Sequence, residues 1–427
     1  MRDSAFDGLD EKSFFDRVQA KFVEKAPDLS QSLNINDIRG GGKMRDSAFD
    51  GLDEKSFFDR VQAKFVEKAP DLSQSLNIAI IGKVSSGKSS LINALLKLSR
   101  RKALEIAKVG AVSGVTKDLT ILKLDEKVYL IDSPGLDDVR AENSEVTKNF
   151  LRHIDVGIFV VTGFSDASQK KSLDDLRQHC DSFFVVLNKI DEWDDLDPTV
   201  VDDVVNQWKN DLKVDKIYPT CTKGYDPKSR NPKMDIRGVF PLRSDIEEFL
   251  EKKGKDLLLA RHMAEKQSYA VKIIAVALIA VAGQAFIPGS AAFITATQAV
   301  AIGSLYYLYT GKLLSPQAAL AILPTFLDET VSSSLFLFVK SFIPPTGILD
   351  VAAAGVAVIL TLAVLATVNY ILSSDAKLEQ EELLRSKFRS YHKQAKDVLR
   401  DLALTDIRDL RDLSEWKVLV SKFLGGL

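Results

Sequence analysis

The chain has 427 residues, enough for two or three domains and a sizeable core. Its 57 Lys and Arg against 59 Asp and Glu leave a net charge of −2, so no basic field marks nucleic acid as the expected partner. Two cysteines, Cys180 and Cys221, exclude a disulfide framework and fit a reducing compartment.

Mean hydropathy is −0.00 although 27% of residues are charged, so very polar and very apolar stretches must be segregated along the chain. The N-terminus is charged and lacks an apolar core segment, so no secretory signal is expected. Residues 1–35 recur identically at 44–78, with Asn36 to Lys43 between them. Natural repeats drift, and a solenoid needs at least three. The Gly40-Gly41-Gly42 joint and internal Met44 mark 1–43 as a cloning or gene-model artefact, with a doubled N-terminal arm as the functional alternative. Within 44–76, Phe57, Phe58, Val61, Phe65 and Val66 form an apolar helical stripe that Pro70 ends. That stripe is expected to pack on other helices.

Ile78 to Ile81 reads as a buried parallel strand. Gly82-Lys83-Val84-Ser85-Ser86-Gly87-Lys88-Ser89 follows and fits the phosphate-binding pattern G-x-x-x-x-G-K-[ST]. A helix then carries Ser90 in its first turn and Leu91, Ile92, Leu95 and Leu96 on one side. Strand, loop and helix in this order separate a phosphate cradle from an ordinary Gly/Ser-rich connection. Glycines let backbone N–H groups converge on phosphate oxygens, and the helix N-terminus adds partial positive charge. Lys88 can reach β- and γ-phosphates, and the Ser89 hydroxyl can hold Mg²⁺.

An irregular, partly basic stretch from Ser99 leads to Gly114-Val115-Thr116-Lys117-Asp118. Leu119 to Leu124 and Val128 to Ile131 read as a hairpin turned at Asp125-Glu126, which delivers Asp132-Ser133-Pro134-Gly135 to a strand end. Asp132 can hold a Mg²⁺ shell through water, and the Gly135 N–H can approach a γ-phosphate because no Cβ intervenes. Strand Val156 to Val161, a polar helix near Ala167 to Cys180, and strand Phe183 to Leu187 then run into Asn188-Lys189-Ile190-Asp191. Asp191 offers two acceptors matched to the N1–H and 2-amino donors of guanine, which adenine lacks. Lys189 can lay its stem over the base and Asn188 can brace the loop. Strand Lys216 to Pro219 leads to Thr220-Cys221-Thr222-Lys223-Gly224, whose N–H groups are placed to meet the guanine carbonyl. A lone N-K-x-D is weak; four elements in this order, each at a strand end, are strong.

On these motifs, residues 77–250 resemble a GTPase of the translation-factor class, near the Era-like, dynamin-like and immunity-related groups. The resemblance implies an α/β P-loop domain with a mostly parallel sheet flanked by helices, binding GTP or GDP with Mg²⁺. It implies nucleotide contacts from Gly82 through Ser90, from Asn188, Lys189 and Asp191, and from Cys221, Thr222 and Lys223. Lys88, Thr116 and Gly135 are then the catalytic candidates, and Ser89, Thr116 and Asp132 the metal set, with Thr120 as a neighbouring alternative to Thr116. Three departures qualify it. Ser85 stands where many Era-like enzymes carry an Asn that holds a monovalent cation, so a cation near Ser85 is a further candidate cofactor. Leu136 follows Gly135 where Ras-like enzymes place a water-orienting Gln, which implies slow intrinsic hydrolysis or help in trans. Cys221-Thr222-Lys223 replaces the usual SAK triplet.

Residues 251–374 are different in kind. After basic residues from Lys252 to Lys272, no Asp, Glu, Lys or Arg occurs between Ile273 and Gly311, and Ile287-Pro288-Gly289 splits the stretch into two Ala-rich helices. A second uncharged stretch, Val351 to Ser374, exceeds the ~20 residues that span a bilayer. Thr295, Gln298, Thr361 and Asn369 make insertion marginal, so a buried bundle competes with a membrane hairpin or a conditionally inserting paddle. Its placement after the GTPase motifs resembles a hydrophobic module fused to bacterial Era-like GTPases and the helical domain of immunity-related GTPases. Residues 375–427 return to amphipathic helix, with Leu384, Phe388, Tyr391, Ala395, Val398, Leu399 and Leu402 at helical spacing. This helix is expected to pack on the N-terminal one, while Trp416 to Leu424 could touch lipid or a partner.

The expected whole is a cytosolic-face, membrane-associated GTPase: an α/β P-loop domain plus an all-α hydrophobic domain formed by the C-terminal half and the N-terminal helix. Homodimerisation across the nucleotide face would supply the missing catalytic help. The alternative is a soluble GTP-dependent switch whose apolar half is a core or a protein-docking surface.

Overall fold

A computed structural model describes residues 54–96, 120–133, 153–166, 169–197, 199–224, 234–284, 291–326, 351–401 and 413–425. The duplicated segment, Thr116, Pro134 to Leu136, Ile287 to Gly289 and Leu402 lie outside them. The chain divides into two compact units: residues 70–266, and residues 267–427 together with the N-terminal part through 69. The first unit is wider on both sides than the expected 77–250.

Helix α1 (Glu54–Lys68) opens the described chain and belongs to the helical unit. The sheet unit then runs β1 (Leu76–Ile81), α2 (Lys88–Leu95), β2 (Thr120–Lys123), β3 (Val128–Ser133), β4 (Ile154–Val161), α3 (Lys170–His179) and β5 (Cys180–Asn188). It continues through a 3₁₀ turn (Ile190–Trp193), α4 (Thr199–Leu212), β6 (Tyr218–Lys223), β7 (Asp235–Arg237), α5 (Val239–Lys252) and α6 (Asp256–Ala260). The strands lie in the order β2-β3-β1-β4-β5-β6-β7. The five inner strands are parallel, while β2 and β7 run antiparallel at the two edges. Every residue of β1 and β4 is buried, as strands covered by helices on both faces require. After β1 the chain goes to β3 on one side and later to β4 on the other. This is the switch point beyond whose strand ends open α/β sheets place ligands.

At the opposite end of the sheet, Asp155 is 1% exposed and paired with buried Lys255 at 2.6 Å. Its other oxygen accepts the Asn77 N–H at 2.9 Å, which ties the starts of β1 and β4. The β2–β3 turn is also anchored. Asp125 pairs with Arg261 and His262, each at 3.0 Å, and Lys127 donates to the Leu72 carbonyl at 2.7 Å.

The helical unit contains α7 (Gln267–Gln284), α8 (Ala291–Thr310), α9 (Pro316–Ile322), α10 (Val351–Ser373), α11 (Glu381–Asp401) and α12 (Leu413–Gly425). Helices α7, α8 and α10 pack on one another, α12 covers α7, and α1 lies on α8 and α9. Helix α11 packs on α10 and the 3₁₀ turn Leu323–Phe326, instead of on the N-terminal helix as its stripe led us to expect. Of the α1 stripe, Phe57, Val61 and Phe65 are buried, whereas Val66 points outward at 67% exposure. A single helix face cannot bury two successive residues equally. Trp416, Val420 and Phe423 of α12 are buried within the unit. Several polar groups of the apolar helices find partners inside the bundle: Gln298 Nε2 donates to Thr361 Oγ1 at 2.8 Å, and Tyr309 donates to Asn369 Oδ1 at 2.8 Å, whereas Gln298 Oε1 is buried with no hydrogen-bond partner among the described residues. Thr295 and Thr361 donate to carbonyls one turn back.

Candidate functional site

Strand β1 ends at Ile81, and residues 82–87 turn the chain into α2. The Gly82 N–H reaches the Ser133 carbonyl at 3.3 Å, and a Cβ at Gly82 would fall 2.2 Å from the Val160 carbonyl oxygen. Gly87 has φ 86, and a Cβ there would fall 2.3 Å from Asn188 Nδ2. Both glycines are therefore required by close approach, and Gly87 also by its left-handed backbone. Ser85 shares that region without being glycine, at φ 67.

Lys88 is buried, and its ammonium donates to the carbonyls of Gly82 at 3.0 Å and Lys83 at 3.1 Å. It also lies 3.6 Å from Asp132 Oδ1. Ser89 Oγ donates to Asp132 Oδ2 at 2.5 Å. A hydroxyl and a carboxylate meeting beside a lysine form the hard-oxygen donor set that suits Mg²⁺. Ser86 Oγ is buried with no hydrogen-bond partner among the described residues, a polar atom aimed into the loop. Lys83 pairs with Asp166 on the exposed side, and Val84 is 66% exposed.

The second half of the site hangs from β5 and β6. Asn188 is 1% exposed and uses both ends of its amide. Nδ2 donates to the Ser86 carbonyl at 3.0 Å, while Oδ1 accepts from Thr220 at 3.0 Å and Thr222 at 3.3 Å. Lys189 turns the chain with φ 66 and pairs loosely with Glu192 at 3.7 Å. Asp191 Oδ2 lies 3.3 Å from Lys223 Nζ, and the Cys221 thiol lies 3.4 Å from Asp191 Oδ1 and 3.2 Å from the Asp235 carbonyl. Burial, with the Asp191 and Asp235 carboxylates behind it, pushes that thiol up to about 11, so Cys221 is a neutral donor.

The structure thus brings Gly82 through Ser90 to the same end of the sheet as Asp132, Asn188, Lys189, Asp191 and Cys221 to Lys223. Thr116 and Gly135 lie outside the described residues. One correction concerns β6. It does not stop at Pro219: Thr220 to Lys223 are strand, because residues 221–223 pair with β7 (Cys221↔Arg237, Thr222↔Ile236, Lys223↔Asp235). The sequence reading missed β7 and, with it, Arg237 and Asp194. Asp-Ile-Arg is too short and polar to announce a strand.

Residues 77–189 match the model of a family described as 50S ribosome-binding GTPases. GTPase Der of Nautilia profundicola is 28% identical over 183 residues, which is 42% of this chain and 35% of that protein. The tRNA modification GTPase MnmE of Aquifex aeolicus is 36% identical over 124 residues, 26% of this chain and 25% of that protein. The chain therefore spans about a third or less of the length of these curated relatives. A solved bacterial dynamin pair, described as oligomerised and as sensing and tethering membranes, aligns over 96% of this chain and 86% of its own at 14% identity, with a TM-score of only 0.25. The family match covers the strand, loop and helix that hold Lys88 and Ser89, the strand end of Asp132, and β5 as far as Lys189. The sheet unit has the P-loop GTPase fold, a mostly parallel sheet flanked by helices.

Proposed function

We propose that the chain binds GTP with Mg²⁺ in this cleft and hydrolyses it to GDP and phosphate. The observation that carries the reading is the Asn188 bridge. One buried side chain joins the loop carbonyl of Ser86 to the hydroxyls of Thr220 and Thr222, fixing the spacing between the phosphate loop and Asp191. The loop amides and Lys88 hold the phosphates, and Asp191 reads the base. Ser89 and Asp132 would hold Mg²⁺, which would offset phosphate charge. Water adds in line to the γ-phosphorus as the bond to the β–γ bridging oxygen breaks, and Lys88 offsets the charge that gathers there. Thr116 and Gly135 are assigned to the γ-phosphate side by the sequence motifs alone.

Binding of fluorescent GDP and GTP in Mg²⁺, competed with ATP, tests this. Lys88→Ala should abolish binding and Asp191→Asn should shift preference to xanthine nucleotides. A purified chain that retains no guanine nucleotide in Mg²⁺ would overturn the reading.

We further infer that the helical half engages a membrane in a nucleotide-dependent way and that chains pair across the nucleotide face. Support comes from helices Ala291–Thr310 and Gly355–Ser373, with mean hydropathies of 1.3 and 2.2 over a bilayer-length span. A soluble switch is the second reading, favoured by the 83% burial of both helices within their own bundle. Liposome flotation with and without a non-hydrolysable GTP analogue separates the two. Hydrolysis per molecule that stays flat as protein concentration rises would remove the pairing.

A further inference from the structure

The turn that carries Asp191 is closed at its start by Asn188. Its far end is held by a residue to which neither the motifs nor the comparisons give a role. Arg237, in β7, donates from Nη1 to Asp194 Oδ1 at 2.9 Å and from Nη2 to Asp194 Oδ2 at 2.6 Å. The same guanidinium donates to Asp235 from Nε at 3.0 Å and from Nη2 at 2.9 Å. Asp194 caps the 3₁₀ turn Ile190–Trp193, and its N–H reaches back to the Asp191 carbonyl at 3.4 Å. Asp235 sits opposite Lys223 and Arg237 opposite Cys221, and these two partners are the side chains that touch the Asp191 carboxylate. One fork therefore joins the turn behind Asp191 to the strand pair in front of it. Hydrogen bonds to Arg237 hold the Asp194 carboxyl below its usual range.

We propose that Arg237 is a positioning residue for guanine selection, acting through Asp194 and β7 to fix the Asp191 carboxylate. A bidentate fork holds a carboxylate in orientation as well as in place, which a lysine cannot copy. The cluster is largely solvated, so its loss costs the fold little. Its effect falls on the base and leaves the phosphate loop untouched. This rests on the reading of Asp191 as the guanine acceptor, and the test separates the two.

The probe pair is GDP against inosine diphosphate, which has identical phosphates but no 2-amino group. Wild type should prefer GDP by about tenfold or more, the size of a hydrogen bond to a charged group. Arg237→Ala should lower that ratio about fivefold or more, chiefly by weakening GDP, and Arg237→Lys should recover little of it. Asp194→Asn, nearly isosteric, should move the ratio the same way and stands in if the arginine variant folds poorly. A wild type that binds both nucleotides equally would sink the Asp191 reading itself. A wild-type preference that survives intact in the variants, or a variant that weakens both nucleotides equally, would overturn the role of Arg237.

Discussion

Asn188 is the side chain on which the two halves of the site depend, and its removal can be worked through. Truncation to Ala leaves three groups without their present partner: the Ser86 carbonyl, the Thr220 hydroxyl (0% exposed) and the Thr222 hydroxyl (6% exposed). A buried polar group left unpaired costs about 1–3 kcal/mol. Hydroxyls can rotate toward other acceptors and the Thr222 contact is the longest, so the sum comes to about 3 kcal/mol. Three tryptophans are present, and a Trp416→Phe background leaves Trp193 and Trp208, both in the sheet unit, as fluorescent reporters. In urea the Asn188→Ala transition of that unit should move down by about 1 M, for a slope of roughly 3 kcal/mol per M. Asn188→Asp should be worse still, because it sets a buried carboxylate oxygen against the Ser86 carbonyl. A loss below about 0.5 kcal/mol, the range of an ordinary surface change, or an aspartate variant as stable as wild type, would refute the bridge as the structural tie.

Two further predictions concern titratable groups. Burial raises the Asp125 carboxyl, but hydrogen bonds from His262 and the backbone N–H groups of Lys127 and Val128 outweigh it and bring it down to about 2. A depressed folded value means stability that is fully present above the ordinary carboxylate range and drains away as pH falls from about 4 toward 2. Asp125→Asn should cost about 2 kcal/mol at neutral pH and flatten the acid limb of an unfolding titration; an unchanged acid limb contradicts this. Burial raises both Cys180 and Cys221 thiols to about 11, so native protein at pH 8 should react slowly with a thiol-specific disulfide reagent. Unfolding should release two equivalents, and rapid native labelling of either would refute the raised thiols.

The phosphate loop was readable in the sequence because its chemistry is contiguous: strand, two glycines at sites of close approach, lysine and serine lie within a dozen residues. The bracing position of Asn188 was readable for the same reason, since only its place at the end of β5 was needed. What the sequence could not show were ties between residues far apart in the chain. Asp155 and Lys255 form a buried pair 100 residues apart, and Arg237 reaches Asp194 43 residues back. β7 escaped notice because three residues with a single apolar one among them, Ile236, carry no readable period, yet pairing with it keeps Cys221 to Lys223 extended. In the helical half, composition could not distinguish lipid from neighbouring helices as the apolar surroundings. The Gln298 amide N–H paired with Thr361 and the Tyr309 hydroxyl paired with Asn369 are partners that composition alone could not supply.

The bend at residues 125–127 holds the chain at Leu72 and at Arg261 and His262, close to both points where the polypeptide leaves the sheet unit. It is also the far tip of the two-stranded ribbon that ends in Asp132. Two moorings thus fasten the tip of that ribbon, one to chain ahead of the sheet and one to chain behind it, beside a β3 that β1 already holds along its whole length.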